Sequence, residues 1–371
     1  MTIFICTAGT SIATNQGVDI KDIENQPFST KKEPQSLSIE CLQDTVQGFF
    51  ARYKDKHEIE KVLDRTSAEI KSLAKMGLSE GDRVHLLVSD TLDGHLCAEM
   101  NQKYLKKYWN CDVFLEMVPG LQALDSEEFR KKGLKNLLDK VIRLIEENKY
   151  QTVRLNVTGG YKSVIPYVTL LGMLYDCPIN YIYEKSYEII TLEKIPVSYD
   201  ESLILEVETK LAIIDKETEI GRDKWEDGIP YESRSRYEAL IEESSPGYVT
   251  MSAIGMIFYE KFKTDFPPEL VKDLTQPDSK KIHLAGTHHG KDILYAFGKK
   301  LVKSPYVKHI ECSSDFDSKQ KDPIKRCSEN GQIELILTHT VRGYGMIIQT
   351  TGRNLEETKL IAEKLREKYF R

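Results

Sequence analysis

The sequence predicts an α/β protein with three parts: a Rossmann-like, mostly parallel N-terminal sheet, a small helical connector, and a basic C-terminal α+β domain. Three observations predict it. Short β-rich apolar runs alternate with amphipathic helical stretches through residues 1–197, the rhythm of a parallel sheet with crossover helices. Acidic stretches punctuated by Pro230, Pro246, Gly247, Pro267 and Pro268 follow. The last quarter then changes charge: residues 280–371 hold 18 Lys and Arg against 11 Asp and Glu, which leaves a net −13 for residues 1–279. With 371 residues, the chain is long enough for two or three cores.

Taken in order, the predicted strands of the first part are residues 2–7 (TIFICT), 83–89 (RVHLLVS), 112–118 (DVFLEMV), 152–157 (TVRLNV) and 179–183 (INYIY). Residues 188–193 close a hairpin with the last of them. In the clearest helix, Leu134, Leu137, Leu138, Val141, Ile142 and Ile145 recur at helical spacing with Lys and Glu between them, the stripe needed to cover one sheet face. Residues 198–279 read as a helical connector, and the piece 233–263 has the length and rhythm of a winged helix. The third part runs strand (281–286), helix (292–303), three strands (307–312, 333–338, 345–350) and a final helix (355–368).

Composition excludes several classes. Apolar residues make up 40% and charged residues 30%, and no apolar run reaches the roughly 20 residues of a membrane helix. The apolar start at Met1 to Thr7 has no basic leader, so a cytoplasmic protein is expected. Cys6, Cys41, Cys97, Cys111, Cys177, Cys312 and Cys327 are scattered without a CxxC pair, which argues for reduced thiols over a disulfide framework or zinc knuckle. A basic tail domain with five of the eight histidines (His283, His288, His289, His309, His339) suggests a polyanion partner for that domain.

Three small polar loops follow the carboxyl ends of predicted strands, where open α/β sheets hold ligands. They are Thr7-Ala8-Gly9-Thr10-Ser11, Ser89-Asp90-Thr91-Leu92-Asp93-Gly94 and Thr158-Gly159-Gly160-Tyr161-Lys162-Ser163. In the third, glycines let backbone N–H groups approach a phosphate, the following helix adds its dipole, and Lys162 and Ser163 add charge and a hydroxyl. Neither GxxxxGK[ST] nor GxGxxG is present, so nothing points to ATP or NAD. A tight strand-to-helix turn is the alternative for any one of these loops.

The strings TAGTSIATN (7–15), SDTLDG (89–94), VPGLQALDSEEFRKKGLKNL (118–137) and NVTGGYKSVIPY (156–167) resemble the CRISPR-associated Rossmann-fold (CARF) domains that sense cyclic oligoadenylates. That resemblance, over residues 1–195, implies a homodimer with the ligand on its two-fold axis, and cyclic tetra-adenylate (cA4) as allosteric activator, with no other cofactor. It implies that Gly9, Thr10, Ser11 and Asn15 meet phosphates or riboses, that Ser89, Asp90, Thr91 and Gly94 meet the base or ribose, and that Thr158, Gly159, Gly160, Lys162 and Ser163 hold the ring. Some such domains also cleave their ligand slowly. An RNA-type ring needs only a positioned 2′-OH and a stabilised pentavalent phosphorus, for which Lys162 and Ser11 are the candidates.

The order of elements in residues 280–371 resembles the RelE-type messenger-RNA interferases, with GMIIQTTGRNLEETKLIAEKLREK (345–368) matching that family's last strand, basic turn and terminal helix. The resemblance implies a metal-independent endoribonuclease that cleaves messenger RNA in the ribosomal decoding site, and so ribosomal components as partners. Such chemistry must deprotonate the 2′-OH, neutralise charge on phosphorus and protonate the departing 5′ oxygen. Candidates are Arg353 in the basic turn, His339, Arg342 and Tyr344 near one hairpin, and His288, His289 and Lys291 after the first strand. The tyrosine expected in the terminal helix is missing, Thr358 and Lys359 standing there, so His339 or Tyr344 would have to substitute.

Two other readings stay open. His309-Ile310-Glu311-Cys312, with Asp292, Asp315 and Asp317, could assemble a metal-dependent PD-(D/E)XK nuclease, although the lysine of an ExK is absent. A winged-helix transcription regulator is the other, but 232–263 holds five acidic and four basic side chains, a poor match to a phosphate backbone.

Overall fold

The strand Thr2–Thr7 (β1) is apolar on both faces because both are covered, as the central strand of a parallel sheet requires. Phe4 and Cys6 face one layer of helices, Ile3 and Ile5 the other. The structure is a computed structural model, and it describes residues 1–28, 37–183, 188–194, 197–284, 291–316, 323–338 and 343–370.

After β1, the described residues form the α-helices α1 (Ser11–Asn15), α2 (Leu37–Arg52), α3 (Lys56–Glu60) and α4 (Ala68–Lys75). Strand β2 (Arg83–Ser89), helix α5 (Leu92–Trp109) and strand β3 (Asp112–Val118) follow. The chain continues through α6 (Ser126–Glu128), a π-helical turn Phe129–Gly133 and α7 (Leu134–Glu147) to β4 (Thr152–Asn156), α8 (Ile165–Leu174), β5 (Ile179–Ile182) and β6 (Ile189–Leu192). The sheet order is β3-β2-β1-β4-β5-β6, parallel throughout except for β6 against β5. Strand order therefore reverses between β1 and β4, and that switch point opens a crevice at their carboxyl ends. All six apolar residues of the α7 stripe are buried against the sheet, as their spacing predicts.

The middle of the chain departs from the reading as helices broken by prolines. It runs α9 (Glu201–Leu205), α10 (Glu208–Glu217), β7 (Ile220–Gly221), α11 (Arg222–Glu226), α12 (Arg234–Tyr237), β8 (Ile241–Ser245), β9 (Tyr248–Met251) and α13 (Ala253–Asp265). The three strands form one antiparallel sheet of order β7-β9-β8. Helix, strand, two helices and a hairpin is the winged-helix order. Trp225, 1% exposed, anchors its core with Leu211, Tyr237, Leu240 and Val249. From α13, Ala253 and Ile257 enter the hydrophobic layer of α7 and α8, so this segment packs as part of the first body.

The chain forms two compact units, Met1–Asp265 and Phe266–Arg371, where the sequence reading draws boundaries after residues 197 and 279. The second unit contains β10 (Ile282–His283), α14 (Lys291–Leu301), β11 (Val307–Phe316), β12 (Ile324–Cys327), β13 (Gln332–Thr338), β14 (Gly343–Thr350) and α15 (Leu355–Tyr369). Its sheet has the order β10-β11-β14-β13-β12; the short β10–β11 pair is parallel and the β11–β14, β14–β13 and β13–β12 pairs are antiparallel. Ile310, Ile333, Leu335 and Ile348 pack with Leu294 and Leu301 of α14 and with Ile361 and Leu365 of α15. The sequence reading lacks β12 and ends β11 at residue 312. Asn354 caps α15, accepting from the Glu357 N–H.

Candidate functional site

A pocket of about 920 Å³ opens at the switch point between β1 and β4. Of the ligand residues expected from the sequence, Gly9, Thr10, Ser11, Asn15, Ser89, Thr158, Gly159, Gly160 and Lys162 line it, drawn from all three loops. The topology explains the convergence: β1 lies between β2 and β4 in register, so the loops leaving all three strands end at one edge.

Asp90, Thr91, Gly94 and Ser163 do not line the pocket, and three of them have other work. The Thr91 hydroxyl caps α5 by accepting from the Gly94 N–H. Asp90 Oδ2 accepts from Gly120 N at 3.1 Å, tying the β2 loop to the loop after β3. Gly94 has no space for a side chain, since a methyl there would overlap the Ser89 hydroxyl.

Several lining side chains already hold protein partners. Ser11 Oγ accepts from Ala68 N at 2.9 Å and donates to Glu69 Oε2 at 3.2 Å. The Asn15 amide donates to Thr66 O at 2.7 Å. Thr158 Oγ1 donates to Asn156 Oδ1 at 2.7 Å and accepts from Ile182 N at 3.1 Å. These bonds fix the loop shapes. Among the described residues, the N–H groups of Gly159 and Gly160 have no protein acceptor, whereas Gly9 N donates to Glu69 Oε1 at 2.6 Å. Gly160 adopts φ 77°, the left-handed region that glycine enters at little cost. The β4 loop therefore offers backbone donors to an anion, and Gly9 of the β1 loop does not.

Glu69 is the residue sequence reasoning missed. It sits in the first turn of α4, is fully buried, and its carboxylate lies beneath both the β1 and β4 loops. Burial holds its carboxyl above the usual glutamate range, opposed by hydrogen bonds from its own N–H, Gly9, Ser67 and Ser11. A Ser67 N-cap followed by Glu69 reads in sequence as an exposed helix start, so only the tertiary arrangement reveals it.

The pocket is of mixed charge. Lys71 and Lys162 line it together with Glu24, Asp64 and Asp93, and Lys71 is 2.6 Å from Asp64. Such walls offer acceptors for amines and hydroxyls as well as cations for phosphate. Tyr161, whose hydroxyl is shifted upward by burial and by nearby Asp93, meets Phe129 of the π-helical turn edge-on, centroids 6.1 Å apart.

Of the residues expected to cut RNA, His288, His289, His339 and Arg342 lie outside the described residues, as does Asp317. Tyr344 lies on β14 and Asp315 on β11, with only their backbones described. Lys291 and Asp292 open α14 and are exposed. Arg353 precedes α15, and its guanidinium pairs in two places with Glu357, Nε to Oε1 at 2.9 Å and the terminal nitrogen to Oε1 at 2.6 Å. Glu357 is itself 3% exposed, so Arg353 also neutralises a nearly buried carboxylate, which its sequence position did not announce. Glu311 lies 3.5 Å from His309, and among the described residues no group of three or more His, Cys, Asp or Glu is placed to hold a metal ion.

Residues 64–195 match the family model of the CRISPR-associated protein (Cas_APE2256), which supports a CRISPR-associated protein and a role in CRISPR defence. The matched segment carries Glu69 and the β2 and β4 loops, but not the β1 loop. A search of the curated proteins found no match. Among the described residues, no helix is long and apolar enough to cross a membrane.

Proposed function

We propose that the chain is a ligand-gated ribonuclease of CRISPR defence, in which a cyclic oligoadenylate, cyclic tetra-adenylate first among them, binds the switch-point pocket of the first unit and activates the second. The observation that carries this reading is the convergence of three polar loops on one pocket, two of them within a segment that matches a CRISPR-associated family. The β4-loop N–H groups and Lys162 suit a phosphodiester. Carboxylates of Glu24, Asp64 and Asp93 suit a nucleoside's amine and hydroxyls, which argues for a nucleotide over a bare polyanion. A ring of identical nucleotides fits a symmetric homodimer with one such pocket from each subunit.

The second unit supports the RelE-like reading through its element order, its basic balance and Arg353 at the turn before the last helix. Messenger RNA on the ribosome is then the substrate, cut through its own 2′-OH without a metal. The decisive experiment incubates the full chain with programmed ribosomes, with and without cyclic tetra-adenylate, and maps new messenger-RNA ends. Ligand-dependent cuts that an Arg353→Ala variant loses are the expected result. Naked RNA or DNA degraded only when magnesium is supplied would replace this reading with the metal-dependent nuclease and make Glu311 the residue to change.

The winged-helix order of the middle segment favours a transcription regulator as second reading. Charge opposes it: Arg234 is paired with Glu226, and Arg236 with Asp200 and Glu206, so these cations already have carboxylate partners. A ligand-dependent shift of promoter DNA in a gel would restore it.

A further inference from the structure

In the geometry shown, both oxygens of the buried Glu69 carboxylate accept hydrogen bonds, one from Gly9 N and one from the Ser11 hydroxyl. Ser11 Oγ also accepts from Ala68 N. Ser11 borders the pocket, yet its only proton points at Glu69 and away from a ligand. A carboxylate thus competes with any incoming anion for this donor, from directly beneath the loops that would hold it.

We propose that Glu69 is a positioning residue that couples ligand binding to proton uptake: when it takes a proton from solvent, its new O–H donates to Ser11 Oγ, and the Ser11 proton turns to the ligand's phosphate. The bond between the two side chains survives with its direction reversed, while Gly9 N keeps the other oxygen as acceptor. An anion in the pocket also raises the cost of a buried negative charge beneath it, which favours the protonated form in the complex. Burial already pushes Glu69 in that direction.

The other titratable groups around Glu69 and the pocket do not duplicate this role. Cys6 on β1 and Cys97 on α5 are buried thiols whose titration burial pushes upward, away from neutral pH. Tyr161 in the β4 loop is shifted upward too. Lys71 is paired with Asp64, Asp93 on α5 accepts from Asn25 N, and Glu24 and Lys162 are exposed charges.

The inference rests on an anionic ligand in this pocket, so its test must separate the two claims. Calorimetric titrations of the full chain would use cyclic tetra-adenylate, cyclic hexa-adenylate and inorganic sulfate as probes, in two buffers of different ionisation enthalpy, between about pH 6 and pH 9. Phosphodiesters and sulfate stay ionised across that range, so proton uptake reports on the protein. Uptake of about one proton per bound subunit is expected, with affinity falling up to about tenfold per pH unit wherever Glu69 is ionised in the free protein. In Glu69→Gln, which imitates the protonated form, uptake disappears and affinity at high pH rises to the low-pH value. The wild-type measurement stands even if that variant folds poorly.

A ring nucleotide that binds without proton uptake, or with the same uptake in Glu69→Gln, overturns the coupling and leaves the ligand reading intact. Sulfate binding with uptake, and no ring binding, does the reverse. If none of the probes binds, both ideas fall.

Discussion

Gly159 has no room for a side chain: a methyl there would overlap Glu69 Oε1 and come 3.0 Å from Thr7 O. The Gly159→Ala variant is therefore expected to lose about 1–3 kcal/mol of stability, the usual cost of forcing a group into packed surroundings. It should also weaken ligand binding, because relief requires the β4 loop or the Glu69 carboxylate beneath it to shift. Gly17→Ala is the contrast, since Gly17 has positive φ, 72°, and nothing within 4 Å, so it carries backbone strain without a clash. Its loss should stay near the ~1 kcal/mol typical of the left-handed conformation, with binding unchanged. Urea unfolding and calorimetric titration of both variants check this, and a Gly159→Ala loss no larger than that of Gly17→Ala, with binding unchanged, would show that the β4 loop accommodates the added methyl. Sequence made Gly159 visible as part of a TGG turn after a strand. It could not make Glu69 visible, because a single glutamate early in an amphipathic helix looks solvated until β1 and β4 close over it.

The β8–β9 hairpin shows the same limit for an element. Its strands are short, and Ile241-Glu242-Glu243-Ser244-Ser245 lacks apolar alternation, so the segment reads as polar helix or loop. The legible signal was the turn: Pro246 before Gly247 at φ 81° is the pairing that a type II turn demands. What sequence did not indicate is that β8 docks on the entry to α7. Glu242, with its side chain 14% exposed, meets Lys135 at 2.8 Å and also Arg130, while Lys131 donates to Ser244 O at 2.9 Å. Both Arg130 and Lys131 belong to the π-helical turn whose Phe129 touches pocket-lining Tyr161. Glu242→Ala leaves Lys135, 18% exposed in its side chain, without this partner, and should loosen the docking by roughly 1–3 kcal/mol. Amide exchange should then quicken in β8 and β9 and stay unchanged in β1 and β4. Uniform protection across both regions would mean that apolar contacts of α13 alone hold the winged-helix segment in place.

For the whole molecule, the proposed gate has a consequence that does not depend on how the ribonuclease chemistry works. Ligand and ribosome are assigned to different units, so any preference of the ligand for a ribosome-competent state must appear in both affinities. If cyclic tetra-adenylate tightens ribosome binding by some factor, programmed ribosomes must tighten cyclic tetra-adenylate binding by that same factor. Typical couplings of 1–3 kcal/mol correspond to changes of about 5- to 150-fold, well within reach of a fluorescent-ligand titration. The alternating α/β pattern and the change of charge near residue 280 were enough to propose such a division of labour from sequence. The size of the coupling was not legible, because it depends on the difference between two states of one chain. The measurement is the ligand's affinity for an Arg353→Ala chain, which keeps messenger RNA intact, with and without saturating ribosomes. A rise that equals the ligand's effect on ribosome affinity supports population shift between two global states. An unchanged affinity, alongside ligand-dependent cutting by the wild type, would place control in the cleavage step itself, with the ribosome bound equally well in both states.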